Sequence, residues 1–418
     1  MSRVAITGIG FVNSLGSSKQ SVWEKLCKGK SGVRSITQYD PSALKTQIAG
    51  EVTELDVRSF LTKPRSMRLM NKGSKLAIAA AAQSLRDSAV NWGSVSAANV
   101  AVYFASENQI SGTERIFPAI RNSRLNPTTI DYRTLGKEAM KLYPLYFVEG
   151  LPAAALYFIS EQFGFTGASA FYSGAADTGL STVGAAFRAI KSGESSYAVA
   201  VAFDDAAAWW SMIRMEPQNV LAPADKSKLD SYQPFTNNAT GRIIGDGGCA
   251  LVLENMEIAK SRGAHIYAEV LGFGSGSETL ADDNDKGQPI RRSVRSALRE
   301  AGCCGSDVEL VMAHGAAVPL TDKAESAAIE ACCERPIVTC VHPATGHQLS
   351  AAGTFNVAIA ALSLCNSLVP PTLVDEEELA PYAPLNLLTR VKHHTVQVAL
   401  ALGNGLEGQS SALVLRSV

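Results

Sequence analysis

The same order of apolar runs occurs twice along the chain, and that duplication limits the fold more than any other feature. A β-branched run at 3–7 leads through an Ala-rich helical stretch to a second run at 100–104; a run at 266–272 leads through a helical pattern at 291–301 to another at 308–313. Each half then places a Gly/Ala/Ser-rich turn ahead of a long small-residue helix, SGAADTGLSTVGAAFRAI in the first and ATGHQLSAAGTFNVAIAAL in the second. Self-similarity on this scale predicts two halves built alike around one core rather than two unrelated domains. The join falls near Ala259 to Ala264, at the charged NMEIAKSRGA segment, giving halves 1–258 and 259–418.

Within each half, short strand-like runs alternate with Ala-rich helices, the pattern of an α/β protein with a parallel sheet covered on both faces. Further strands are expected at 197–202, 250–253, 395–401 and 412–415. Helices are expected at 21–28, 75–91, 152–163, 178–192, 290–301, 323–332 and 350–365. The stretch 111–150 keeps neither period and mixes Pro118, Asn126, Pro127 and Pro144 with Tyr132, Tyr143 and Tyr146, so it reads as an excursion from the sheet.

Composition excludes several classes. A formal net charge of −1, from 38 basic and 39 acidic side chains, argues against a nucleic-acid binder. Charges or glycines interrupt every apolar run before the ~18 residues of a membrane span, and the opening MSRVAITGIG lacks a secretory signal, so a cytoplasmic location is expected. The eight cysteines show no C-x-x-C spacing and read as small buried hydrophobes, with no metal implied. GRIIGDGGCALVLE is glycine-rich but lacks the G-K-[ST] of a phosphate loop; its glycines read as turn residues, and no nucleotide or other cofactor is expected.

Five segments, in order and across nearly the whole chain, resemble the β-ketoacyl-acyl carrier protein synthases: VAITGIGFVNSLG, PFTNNATGRIIGDGGCALVLE, AKSRGAHIYAEVLGFG, MAHGAAVPLTDKAE and ATGHQLSAAGTFNVAIAAL. The resemblance implies a thiolase-like fold, two similar halves stacked as five layers α-β-α-β-α, and a dimer. It also implies a Cys thiolate at a helix N-terminus, which takes the growing acyl chain, and two His residues that support decarboxylation of a malonyl extender. Matching the nucleophile helix by its Gly184 to Arg188 end puts Ala176 at the Cys position. A methyl group forms no acyl-enzyme.

Both His positions are filled, by His314 and His347, as working groups or as inherited scaffold. Other positions depart from the family: His342 replaces a Lys, Leu406 a Phe and Glu407 a Gly of the gating loop, and Ala316, Ala317 and Val318 replace a Thr/Ser-rich run. Together these resemble the chain-length factor, the Cys-less partner of a Cys-bearing ketosynthase in heterodimeric type II polyketide systems. The segment PLYFVEGLPAAALYFISEQFGFTGAS is most similar to partners from aryl polyene pathways. Such a subunit implies an acyl carrier protein as a further partner and a role in bounding the acyl tunnel, with Tyr143, Tyr146, Phe147 and Tyr157 as candidate wall residues. The alternatives are a condensing enzyme inactivated by Cys-to-Ala substitution at residue 176, or a malonyl-carrier decarboxylase using His314 and His347.

Asp322 and Glu325 keep the family's acidic positions; they either order the His loops or cap a helix. Asp177 reads as a dipole-stabilised helix-start residue. Arg58, Lys63, Arg65, Arg68, Lys72, Lys75 and Arg86 form a stretch without an acid, either a carrier-docking face or a solvated one.

Overall fold

The computed structural model describes residues 2–61, 63–107, 113–278 and 287–418. The first half runs β1 (Val4–Asn13), α1 (Lys72–Asp87), β2 (Val100–Ser106), α2 (Ala154–Phe163), β3 (Ser169–Ser173), α3 (Ala176–Ser192), β4 (Tyr197–Asp204) and β5 (Gly247–Asn255). The second repeats it as β6 (Ala268–Ser277), α4 (Gln288–Ala301), β7 (Leu310–Met312), α5 (Pro319–Cys332), β8 (Ile337–Thr339), α6 (Ser350–Asn366), β9 (Asn386–Leu387), β10 (Val398–Asn404) and β11 (Gln409–Arg416).

The strands form one ladder in the order β9-β8-β7-β10-β11-β6-β1-β5-β4-β2-β3. Its centre is the antiparallel β1–β6 pair, which spans only Val4↔Val270 to Ile6↔Ala268 and relates the halves by an approximate twofold. The expected parallel sheet is therefore mixed. Parallel pairing holds among β2, β3 and β4 and among β7, β8, β9 and β10, where helices cross over. By contrast, β5 and β11 return antiparallel beside β4 and β10, β11 after a tight connection that leaves no room for a crossover helix. Strands β3 and β8 escape a reading by pattern because SAFYS is half exposed and IVT is three residues long.

Helices α1 and α4 cover the outer faces of β1/β5 and β6/β11, while α3 and α6 pack between the two halves of the sheet. Helix–sheet approach is close enough that a Cβ at Gly10 would stand 2.2 Å from the Ala80 carbonyl oxygen, and one at Gly274 2.1 Å from that of Ser293. Every residue of α6 from Ser350 to Leu364 is buried, as a helix apolar all round requires. The core joins both halves: Phe11 of β1 meets Phe355 of α6 edge-to-face at 5.2 Å, within a cluster containing Ile6, Leu180, Phe187 and Leu413. The protein has the five-layer thiolase-like α/β fold.

From residue 113 the excursion consists of short helices, Phe117–Asn122, Tyr132–Ala139 and Tyr146–Gly150, and a small hairpin, Arg124–Asn126 with Thr129–Ile130. Its beginning at Ser111 lies outside the described residues. Among the described residues no helix is long and apolar enough to cross a membrane.

Candidate active site

Helices α3 and α6 both begin where the strands end, so their N-termini meet the loops after β2, β4, β7 and β10. Asp204, the last residue of β4, binds this junction together: its Oδ1 accepts from Ser106 Oγ (2.8 Å) and the Glu107 N–H (3.0 Å), and its Oδ2 accepts from the Ser350 N–H (2.8 Å). A buried carboxylate at the start of α6 satisfies one of the orphan N–H groups there and complements the helix dipole.

His314 follows β7, and its backbone is held from α5. Glu325 accepts the N–H groups of His314 (2.7 Å) and Gly315 (2.9 Å), while Asp322 accepts that of Phe235 (2.9 Å). Both carboxyls are fully buried and burial pushes each up to about 7. Of the two readings open in the sequence, ordering the His loop is thus the one the geometry bears out for Glu325. Asp322 does lie in the first turn of α5, but its partner belongs to another segment.

The three histidines converge. Ring centroids are 4.8 Å apart for His314–His347, 5.1 Å for His342–His347 and 6.3 Å for His314–His342. Burial holds all three below the usual imidazole range, His342 down to about 3, and the Arg242 charge adds to the effect. Nδ1 of His347 accepts the Leu349 N–H (3.2 Å) and Nδ1 of His314 accepts the Asn404 N–H (3.4 Å). A neutral ring accepting at Nδ1 carries its hydrogen on Nε2. Among the described residues His347 Nε2 has no hydrogen-bond partner, and neither ring nitrogen of His342 has one. Leu349 holds φ 49° ahead of α6, a left-handed value that tight packing around a fully buried Leu maintains.

Ala176 is fully buried at the first position of α3, which has no side-chain cap. Its carbonyl lies against Gly403 of β10, where a Cβ would stand 2.6 Å from it, next to the Asn404 that binds His314. Ala176 and the histidines thus belong to one junction. Two cavities open on it. One of about 270 Å³ lies at the α3 terminus, lined by Glu107, Asp177, Arg214 and Glu407 among others; the other, about 180 Å³, is lined by Arg242, His314, Glu325 and Asn404 among others. Leu406 and Gln409 belong to both walls, so Leu406 stands between the α3 terminus and His314. Asp177 faces into the first cavity with its carboxyl pushed up by burial, a change from the dipole-stabilised reading that its place in the chain suggested.

Of the candidate wall residues, Tyr146 is buried, whereas Tyr143 and Tyr157 are 48% and 60% exposed on the single chain; the Phe147 side chain lies outside the described residues. In the basic stretch, Lys63 pairs with Glu161, Lys72 with the buried Asp246, and Arg86 stacks on Phe60, leaving Arg58, Arg65 and Arg68 exposed. Sequence reading missed Arg242. Its signal was present: a single cation beside Ile243 and Ile244 inside the turn-forming GRIIGDGG.

Comparison with known proteins agrees with this architecture. The β-ketoacyl synthase N-terminal domain model matches residues 1–259 and the C-terminal domain model residues 267–374. The chain is 29% identical over 422 residues to a 3-oxoacyl-(acyl-carrier-protein) synthase 2 of Vibrio cholerae, covering 99% of both. It is 28% identical over 426 residues to the tetracenomycin polyketide synthase ketoacyl synthase alpha subunit of Streptomyces glaucescens, covering 99% of the chain and 96% of that protein. The ishigamide ketosynthase/chain length factor structure superposes with a TM-score of 0.87 at 24% identity, over 100% of this chain and 99% of that one. With a fold, a strand-end junction and a family match that span both halves, the chain belongs to the β-ketoacyl synthase family.

Proposed function

We propose that the chain is a non-condensing, chain-length-factor type subunit, paired with a Cys-bearing ketosynthase in a cytoplasmic type II polyketide system that works on acyl carrier protein thioesters. The observation that carries this reading is Ala176, a methyl group buried at the helix N-terminus where the family resemblance puts the nucleophile. The cavity beside it adds support: three carboxylates, Glu107, Asp177 and Glu407, face one arginine, Arg214, so it disfavours a thiolate and the phosphate of an arriving carrier arm. The similar tetracenomycin protein is a polyketide synthase ketoacyl synthase alpha subunit, and the superposed ishigamide structure is a ketosynthase/chain length factor. Tyr132, Met140 and Tyr157 are 80%, 87% and 60% exposed, large apolar side chains of the kind that a second subunit covers. On this reading the aromatic wall, with Tyr143, Tyr146 and Tyr157, is completed at the subunit interface.

The purified chain alone is expected to take up no acyl group from an acyl-carrier thioester, by intact mass, and to form a 1:1 complex when made with its ketosynthase. A stoichiometric acyl adduct on this chain would overturn the reading. A second reading has its own observation: two neutral imidazoles at 4.8 Å, each with its hydrogen on Nε2, are suited to donate to a thioester oxygen as a malonyl group loses carbon dioxide. Release of bicarbonate from malonyl-carrier protein by the purified chain, lost on His347→Ala, would favour the decarboxylase.

A further inference from the structure

Not every cysteine is the buried hydrophobe that its spacing in the sequence suggests: Cys304 and Cys365 are exposed. Cys365 is the penultimate residue of α6, about 22 Å along that helix from the end beside His347, and so lies far from the junction of Ala176 and the histidines. Its Sγ lies 3.6 Å from Nε2 of His265, an exposed residue of the segment that leads into β6. At that separation a thiol and an imidazole are within reach for proton transfer.

The imidazole is itself held in place. Its ring stands edge-on to that of Tyr267, with centroids 4.5 Å apart and planes at 88°. Tyr267 donates its hydroxyl to Asp87 Oδ2 (2.9 Å), and Lys19 bonds both Asp87 and the tyrosine oxygen, its ammonium 4.6 Å from the ring centroid. A nucleophile, a base in contact with it and a group that orients the base are the parts by which a weak nucleophile is activated. Cys365 needs that help. Burial of its inner flank raises the thiol and the Lys19 charge offsets only part of this, so the sulfur keeps its proton at neutral pH. The negative end of the α6 dipole disfavours a free thiolate as well.

We propose that Cys365 and His265 form a covalent modification site for small disulfides, the oxidised dimers of low-molecular-weight thiols. Sγ attacks one sulfur of the disulfide as its proton passes to Nε2 of His265, and the second sulfur leaves as a thiolate that takes the proton from the imidazolium. One Cys365–S–S–R bond forms, one R–S–S–R bond breaks and one R–SH is released, so no further oxidant is needed. The site does not depend on the reading of Ala176, because no residue of that junction belongs to it.

Oxidised glutathione at limiting concentration, added to the purified full-length chain and followed by peptide mapping, tests this. Cys304 serves as the internal reference: it is also exposed, and its sulfur accepts the Asp307 N–H within its own turn. Cys365 is expected to form the mixed disulfide at least about tenfold faster than Cys304. His265→Phe keeps the ring contact with Tyr267 and removes the base, and should abolish that lead. Attack assisted by an imidazole gains less than about threefold between pH 7 and 8, whereas attack through free thiolate gains about tenfold. The parent should follow the first course at Cys365 and His265→Phe the second. Equal or faster modification of Cys304 in the parent overturns the proposal, as does a tenfold rise per pH unit at Cys365 in the parent or a Cys365 rate that His265→Phe leaves unchanged.

Discussion

Helices α3 and α6 occupy equivalent places in the two halves and cross each other through the same device. Each has 17 residues, lacks a side-chain N-cap and carries glycine at its fourth position, Gly179 and Gly353. The contacts are reciprocal: a Cβ at Gly179 would stand 1.8 Å from the Ser350 carbonyl oxygen, and one at Gly353 1.9 Å from that of Ala176. Backbone therefore touches backbone at both helix starts. Their surroundings differ. The start of α3 borders an open cavity lined by carboxylates, while that of α6 is tied by Asp204 and faces three buried imidazoles. Duplication set the backbone geometry of both termini, and the side chains placed around each decide what chemistry remains there.

The sharpest way to break the comparison is to add one methyl group at the crossing. Gly353→Ala or Gly179→Ala must push a carbonyl aside in a region with no slack, and each is expected to cost about 3 kcal/mol or more, at the upper end of overpacking effects. Because the contacts are reciprocal, the two losses should be similar. Urea unfolding of the soluble fraction measures both; a loss below about 1 kcal/mol in one variant alone would show that the twofold relation does not extend to packing.

Acidification probes the α6 side. A histidine kept neutral in the folded state is protonated in the unfolded chain below about 6.5, so the unfolded state binds more protons and stability falls as pH falls. The three imidazoles each contribute about 1.4 kcal/mol per pH unit there. Asp322 and Glu325, raised to about 7, act in the opposite sense: folded, they hold protons that the unfolded chain releases, so they add stability as pH falls from about 7 towards 4. Three imidazoles against these two carboxyls leave a maximum near pH 6.5, and because Asp177, also raised by burial, opposes the histidines as well, the net loss between pH 6 and 4.5 is at most about 1.4 kcal/mol per unit. Urea midpoints across pH 4.5–7.5 check this, and His342→Phe should flatten the acid limb. A midpoint still rising at pH 5 would contradict neutral, buried histidines.

How much of this was legible in the sequence follows from range. The two small-residue helices, the strands they cross and the meeting of His314 with His347 follow from local patterns and from the family resemblance those patterns carry. The antiparallel return of β5 was not legible, because a strand's partner is set by the loop that positions it, and 205–246 gives no periodic signal. For Glu325 the sequence left a cap and an ordering role in the His loops both open; only the fold brings the His314 loop over it. Arg242 was hidden for the converse reason: flanking residues predicted a turn, and a turn is where a charged side chain is expected in solvent rather than buried beside imidazoles. Exposure of Tyr143 and Tyr157 is set by how the excursion packs on the rest of the chain, which no local pattern encodes.

The smallest effect is expected where the nucleophile position is restored. Ala176→Cys places a thiol at the start of α3, where the helix dipole contributes about 1 kcal/mol, less than one pKa unit of help to the thiolate. Burial works against it more strongly in this protein, pushing Cys27 up to about 11 and Cys333 up to about 12. Glu107 is paired with Arg214, so no cation is left over on that wall, Asp177 and Glu407 around the same cavity add carboxylates, and Leu406 separates the thiol from His314. The introduced thiol should therefore be on the order of 1% thiolate or less at pH 7.5. Alkylation by iodoacetamide should be slow and still rising at pH 9, and incubation with an acyl-carrier thioester should leave the intact mass unchanged. Rapid alkylation at pH 7 together with a stoichiometric acyl adduct would show that the α3 terminus kept its capacity for catalysis, and that a single side chain separates this chain from a condensing enzyme.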